Sequence, residues 1–286
     1  MSMRRSQLRS AILACALLAG FACRSALRPP QAAAESAEPA VVALEPYVGR
    51  LRAVRVRIGG EEMRLLFDTG GGLTSLNPAA AARIGCTPAG RTTGFRMSGE
   101  RLESPLCPGV ELAVGPWRSR LDVGVFDLAA LLPKEFPPLD GILGLDAFDG
   151  ATLTLDLAGD RLTLETPASA ARRIAAGVEL RVRRATNPDS RALDLFVACP
   201  SPRGDAWLLL DSANLDTVRL APHAAALLGV PPAGDPHARL AVAGLAPEEV
   251  EISIHDSIYD GALNQRWIAK RILTLDLLHN RAWSSR

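Results

Sequence analysis

From about Val41 onward the chain is a succession of short apolar runs, each closed off by Gly, Pro or Asp. Ala53 to Ile58, Met63 to Phe67, Val110 to Val114, Leu121 to Phe126, Ala151 to Leu157 and Arg161 to Leu164 are the clearest. Runs of that length between turn-forming residues predict strands. Only two stretches read as helices. They open at Asn77-Pro78-Ala79-Ala80 and at Ala221-Pro222-His223-Ala224, each with Pro in the first turn and Gly past the end. The pattern therefore predicts an all-β protein with few short helices.

The two helical stretches are copies of one another. Leu76 falls on Leu220, Pro78 on Pro222 and Gly85 on Gly229. With one residue inserted in the second copy, Met63-Arg64-Leu65-Leu66-Phe67-Asp68-Thr69-Gly70 falls on Trp207-Leu208-Leu209-Leu210-Asp211-Ser212-Ala213. Further on, Asp140-Gly141-Ile142-Leu143-Gly144 matches Asp260-Gly261-Ala262-Leu263-Asn264, and Thr154-Leu155-Asp156-Leu157 matches Thr274-Leu275-Asp276-Leu277. Strand, Asp, helix, Asp-Gly and Thr-Leu-Asp-Leu in one order twice is an internal duplication. It predicts two lobes, 41–165 and 178–286, joined by a linker over 166–177.

Ahead of this pattern lies a different one. The first residues are basic and Ala11 to Ala22 is almost unbrokenly apolar, too short for a membrane-spanning helix but right for an export signal over 1–23. Its end, Leu18-Ala19-Gly20-Phe21-Ala22-Cys23, resembles a bacterial lipobox, with Gly20 where Leu is usual. Two readings stay open: lipidation of Cys23, which would anchor the protein to a membrane, or cleavage near Ala22 without it. Either predicts an exported, periplasmic protein. Residues 24–40, rich in Ala, Pro and Glu, read as a flexible tether.

Composition narrows the classes. At 286 residues, 48% apolar and 22% charged, there is enough chain for two modest cores. A net charge of +1, with Lys and Arg scattered, provides no field to gather nucleic acid. His223, His237, His255 and His279 are isolated from one another, so no metal site is predicted. In an oxidising compartment Cys86, Cys107 and Cys199 could contribute one bridge, best between Cys86 and Cys107 because both lie in one half; three buried thiols are the alternative.

The duplication singles out Asp68 and Asp211. Each ends an apolar strand and is followed by a hydroxyl residue, Thr69 or Ser212, and then by a small one, Gly70 or Ala213. A hydroxyl there can hydrogen-bond across to a partner loop, and a small residue lets backbone N–H groups approach the carboxylate. Two carboxylates brought face to face cannot both ionise cheaply and share a proton, so one can serve as base and the other as acid.

Phe67-Asp68-Thr69-Gly70, followed by Ile142-Leu143-Gly144 within a duplicated chain, resembles the pepsin and retropepsin superfamily of aspartic proteases. The likeness spans nearly all of residues 50–286. It implies a two-lobed acid-protease-like β-barrel fold, a catalytic pair of Asp68 and Asp211, and a water activated between them to hydrolyse peptide bonds without a cofactor. Aspartic proteases are a well-known instance of two carboxyls sharing one proton. The resemblance also makes Thr69 and Ser212 the hydroxyls that tie the loops together. It makes Thr92 to Arg101 a flap, with Phe95 and Met97 facing a peptide or protein substrate; an ordinary solvent hairpin is the other reading. A monomer is expected, since the second lobe supplies its own Asp.

Lobe two departs from the pattern at Ala213 and Asn264, where Gly is usual. A methyl at Ala213 predicts crowding or a strained backbone costing roughly 1–3 kcal/mol. These departures leave a second reading open, a non-catalytic peptide-binding or envelope protein that keeps the fold. Other chemistries are excluded: Gly70-Gly71-Gly72 lacks the Lys and Ser or Thr of a phosphate loop, and no Gly-x-Ser-x-Gly elbow occurs.

Overall fold

The structure, a computed structural model, describes residues 38–285 apart from Pro188, Ser190 and Ala233. The segment expected to be an export signal, Cys23 and most of the expected tether lie outside the described residues. The rest is strands in three sheets with short helices at their margins.

The duplication is visible in strand register. In lobe one, Glu61–Phe67 runs parallel to Gly141–Leu143, pairing Leu65 with Gly141 and Phe67 with Leu143. In lobe two, Gly204–Leu210 runs parallel to Gly261–Leu263, pairing Leu208 with Gly261 and Leu210 with Leu263. Ser75–Leu76 and Val218–Leu220 then cross the same partners antiparallel, with Leu76 opposite Gly141 and Leu220 opposite Gly261. Each half thus wedges a short strand pair beneath the loop that follows its Asp. Gly141 and Gly261 are required at these crossings, since a Cβ on either would lie 2.0 or 2.1 Å from a backbone carbonyl oxygen of the crossing strand.

A six-stranded sheet joins the halves. The two Thr-Leu-Asp-Leu copies pair with each other inside it, Thr154 opposite Thr274, with their hydroxyls 3.0 Å apart. Apolar side chains are continuous from Val54 and Leu65 through Leu153 and Leu273 to Leu208 and Leu263, so one core underlies both lobes. Such continuity couples the lobes as a single stable unit.

Helix α1 (Pro78–Arg83) begins where Asn77 accepts a hydrogen bond from Ala80 N at 2.7 Å. The segment between the lobes, read from sequence as a linker, is itself a helix, α2 (Pro167–Ala176). Thr166 and Ser169 form a reciprocal capping box at its start. It lies against the strands Ile272–Asp276 and Arg281–Ser285 of the shared sheet. Helix α3 (Pro222–Leu228) has no side-chain cap but ends on Gly229 in the left-handed region, φ 76°. A short α4 (Gln265–Ala269) follows Asn264. The tether reading also stops slightly late, because Ala40–Ala43 already pairs with Arg161–Leu164.

Cys86 and Cys107 are bridged, their Cα atoms 5.7 Å apart, and Cys199 is a buried free thiol. Closing a loop of this length contributes about 3 kcal/mol to lobe one.

Candidate active site

Asp68 and Asp211 stand at equivalent strand ends and their loops meet. The contact is reciprocal. Thr69 N donates to Ser212 Oγ and Ser212 N donates to Thr69 Oγ1, both at 3.0 Å. The hydroxyls then donate onward, Thr69 Oγ1 to Leu210 O at 2.6 Å and Ser212 Oγ to Phe67 O at 3.4 Å. Both side chains are buried, so each satisfies backbone groups that water cannot reach. Leu210 and Phe67 immediately precede the two aspartates, which ties each carboxylate's strand to the other lobe.

The carboxylates are held by backbone donors. Gly70 N donates to Asp68 Oδ1 at 2.8 Å, and Asp68 N donates to Leu143 O at 3.0 Å. Asp211 Oδ1 accepts from Ala213 N at 3.0 Å and Asn214 N at 2.9 Å. Burial pushes Asp68 up to about 8; the charges of Asp211 and Asp194 push the same way against the Gly70 N–H. Burial also raises Asp211, opposed by the N–H groups of Asn214 and Ala213 and by the charge of Arg219. Both carboxyls are thus held above the usual carboxylate range as an interacting pair, with one more backbone donor and a cation acting on Asp211.

Gly70 has a steric reason. A Cβ there would lie 2.8 Å from Asp211 Cγ, so this side chain's absence is what lets the carboxylate approach. Ala213 does not mirror it. Among the described residues only Asp160 and Asn280 are non-glycines with positive φ, so Ala213 carries no left-handed strain. Its methyl packs against the lobe-one cluster of Tyr47, Leu51, Ala53 and Leu66. The left-handed strain expected from sequence is therefore absent.

Asn264 has an assignable role as well. Its side chain accepts from Trp267 N at 2.9 Å, capping α4, and donates to Asp216 O at 2.6 Å. In lobe one the equivalent Gly144 leaves room for Asp146, whose Oδ1 would lie 2.7 Å from a Cβ at that position. Asp146 accepts from Thr74 N and Thr74 Oγ1, at 2.9 and 2.7 Å, and burial raises it to about 7. The two lobes hold the segment behind the aspartate with different polar groups.

The Arg91–Phe95 and Arg101–Val114 strands pair as a hairpin in the segment expected to be a flap, turning at Gly99 with φ 85°. Its tip reaches lobe two: Ile258 N donates to Met97 O at 2.9 Å, and Met97 packs against Phe196, Leu209 and Ala262. Phe95 is 47% exposed. Both line a cleft of about 440 Å³ that also takes in Gly70, Gly72, Ile142, Asp194 and Asp211. A loop of lobe two closes one side, with Asn187 Nδ2 donating to Thr92 Oγ1 at 2.7 Å and Leu193 N to Gly72 O at 2.8 Å.

Asp146, Asn187 and Asp194 did not emerge from the sequence. Asp194 had a signal, an acid set inside the apolar run Leu193-Asp194-Leu195-Phe196-Val197. Asn187 had none, since its partner is 95 residues away.

Residues 54–147 match a family model described as aspartyl protease. That stretch carries Asp68, Thr69, Gly70 and the flap but ends before lobe two. A sequence comparison with curated proteins finds no match. Among solved structures, basic 7S globulin from soybean superposes with a TM-score of 0.55 at 9% identity, covering 87% of this chain and 95% of that one. At such identity the likeness concerns the fold alone, and it extends over both lobes.

Proposed function

We propose that this chain, whose residues 54–147 match an aspartyl protease family model, is an aspartic-type endopeptidase using Asp68 and Asp211 together. The observation that carries the reading is the reciprocal Thr69–Ser212 contact, which joins the loops of two half-buried aspartates of raised proton affinity, with Asp211 lining the cleft.

In this reading Asp211 is the base. It takes a proton from water as the water oxygen bonds to the peptide carbonyl carbon, while Asp68 gives its proton to the carbonyl oxygen. Collapse of the resulting gem-diol returns a proton to Asp68, and the amide nitrogen leaves as an amine carrying the proton held by Asp211. The flap keeps bulk water from the reacting bond. Substrate lies extended beneath Phe95 and Met97. We further propose that the protein works after export, with Cys23 as an anchor; radiolabelled fatty acid retained by the protein and lost in Cys23→Ala tests this.

The decisive experiment incubates the purified protein with a mixed peptide library and compares Asp68→Asn and Asp211→Asn. Each substitution is expected to lower kcat by about 10²–10⁴-fold. Cleavage that survives both defeats the paired-carboxyl reading. Peptide binding without cleavage by the unsubstituted protein defeats the hydrolytic one.

A further inference from the structure

The cleft holds a third carboxyl that the proposed chemistry does not use. Asp194 opens the strand Asp194–Ser201 and lines the cleft beside Asp211. Its Oδ1 is sealed from solvent and has no hydrogen-bond partner. The carboxyl lies over Gly72, where a Cβ would sit 3.2 and 3.3 Å from its two oxygens. No ion pair reaches it among the described residues. Arg96, which lines the cleft, pairs with Glu100, and two arginines near Asp194 in sequence are also committed, Arg184 to Asp149 and Arg191 to Asp122 and Asp189.

Asp194 is half-buried, and a carboxylate oxygen sealed from water without a partner is costly, so native structures keep few of them. Here the cost is compounded by like charge. Burial, then Asp146 and Asp211, push Asp194 up to about 7, and Asp194 in turn contributes to the elevation of Asp68. A cation brought into the cleft would give Asp194 its missing partner and relieve the repulsion. Leu73 and Ile142 line the same cleft, and Ile142 closes on Gly71 next to Gly72. Apolar surface leading to a carboxylate suits a long aliphatic stem with a charged end.

We infer that Asp194 is a specificity residue: its carboxylate receives a cationic group of the substrate, the ammonium or guanidinium of a Lys or Arg side chain seated in the cleft beside Asp211. The identity of the ligand as a peptide rests on the endopeptidase reading above.

The test uses the purified protein and blocked peptides, acetylated and amidated, that differ only in Lys against norleucine at successive positions. A third set has norleucine throughout and a free N-terminal amine. Binding is read by fluorescence anisotropy and cleavage by mass spectrometry. At one position Lys is expected to bind at least about tenfold tighter than norleucine. Asp194→Asn and Asp194→Ser should both erase that difference, with the loss on Lys peptides appearing in KM more than in kcat.

Equal binding of Lys and norleucine peptides by the unsubstituted protein overturns the inference without recourse to any variant. So does a Lys preference that persists in both variants, or a preference confined to the free-amine set. The two proposals separate cleanly. Asp68-dependent cleavage with no Lys preference removes the inference and leaves the endopeptidase reading; an Asp194-dependent Lys preference without cleavage does the reverse.

Discussion

The loops after Asp68 and after Asp211 began as copies and now hold equivalent carboxylates by different means. In lobe one three glycines follow Asp68-Thr69, and Gly70 is there because Asp211 leaves no space for a Cβ. In lobe two Ala213, Asn214 and Leu215 follow Asp211-Ser212; the methyl of Ala213 is taken up by lobe-one apolar side chains, and Asn214 adds a second backbone donor to the carboxylate. Departure from the motif at Ala213 therefore leaves the contacts of the Asp211 loop in place. What both halves retain is the hydroxyl pair, because each hydroxyl serves the opposite lobe and neither can change alone.

That contrast can be broken most sharply at its glycine. Gly70→Ala should destabilise the protein by about 1–3 kcal/mol through forced separation of the loops, whereas Ala213→Gly should change stability by no more than about 1 kcal/mol. Chemical denaturation of both proteins measures this, and equal effects would refute the steric account of Gly70.

The hydroxyl pair comes next. Thr69→Ala and Ser212→Ala should each cost about 1–3 kcal/mol by leaving buried backbone donors unpaired, and the double variant should cost less than their sum. Simple additivity in the double-mutant cycle would show that the two contacts are independent.

The carboxyls of lobe one and the cleft give a pH dependence. Asp68, Asp146 and Asp194 have proton affinities raised in the folded state, to about 8, 7 and 7. The folded protein therefore binds protons that the unfolded chain has released above about pH 4. The penalty is absent below that pH and complete above about pH 8, so the melting temperature should fall as pH rises between them. Asp194→Asn should flatten the slope. Peptide hydrolysis should fall over the upper part of the same range, as the Asp68–Asp211 pair loses the proton it donates.

The smallest effect is expected at the second departure. Asn264→Ala should cost about 1 kcal/mol by removing the cap of α4, with kcat little changed. A loss of activity far beyond the loss of stability would mean that Asn264 positions the Asp211 loop rather than only the helix.

Much of this molecule was legible in its residues alone. Short apolar runs between Gly, Pro and Asp marked the strands because strand formation depends on local alternation and on residues that end it. The repeat of Asp, helix and Asp-Gly marked the two lobes because equal folds need equal punctuation. Asp68 was evident from its own neighbours, and Asp211 through the repeat. Helix α2 was also within reach, had Thr166-Pro167-Ala168-Ser169 been read as a capping box rather than as the start of a linker.

The remainder belonged to the tertiary structure. Whether a methyl at Ala213 strains the backbone depends on Tyr47, Leu51 and Leu66, all remote in sequence. Which carboxyl keeps its proton depends on donors and charges brought in from several elements. Asp194 is far from Asp68 along the chain, and its place in the cleft follows from the meeting of the lobes. Local pattern specifies elements; burial, proton affinity and an unpaired charge arise only when elements distant along the chain exclude water from the same place.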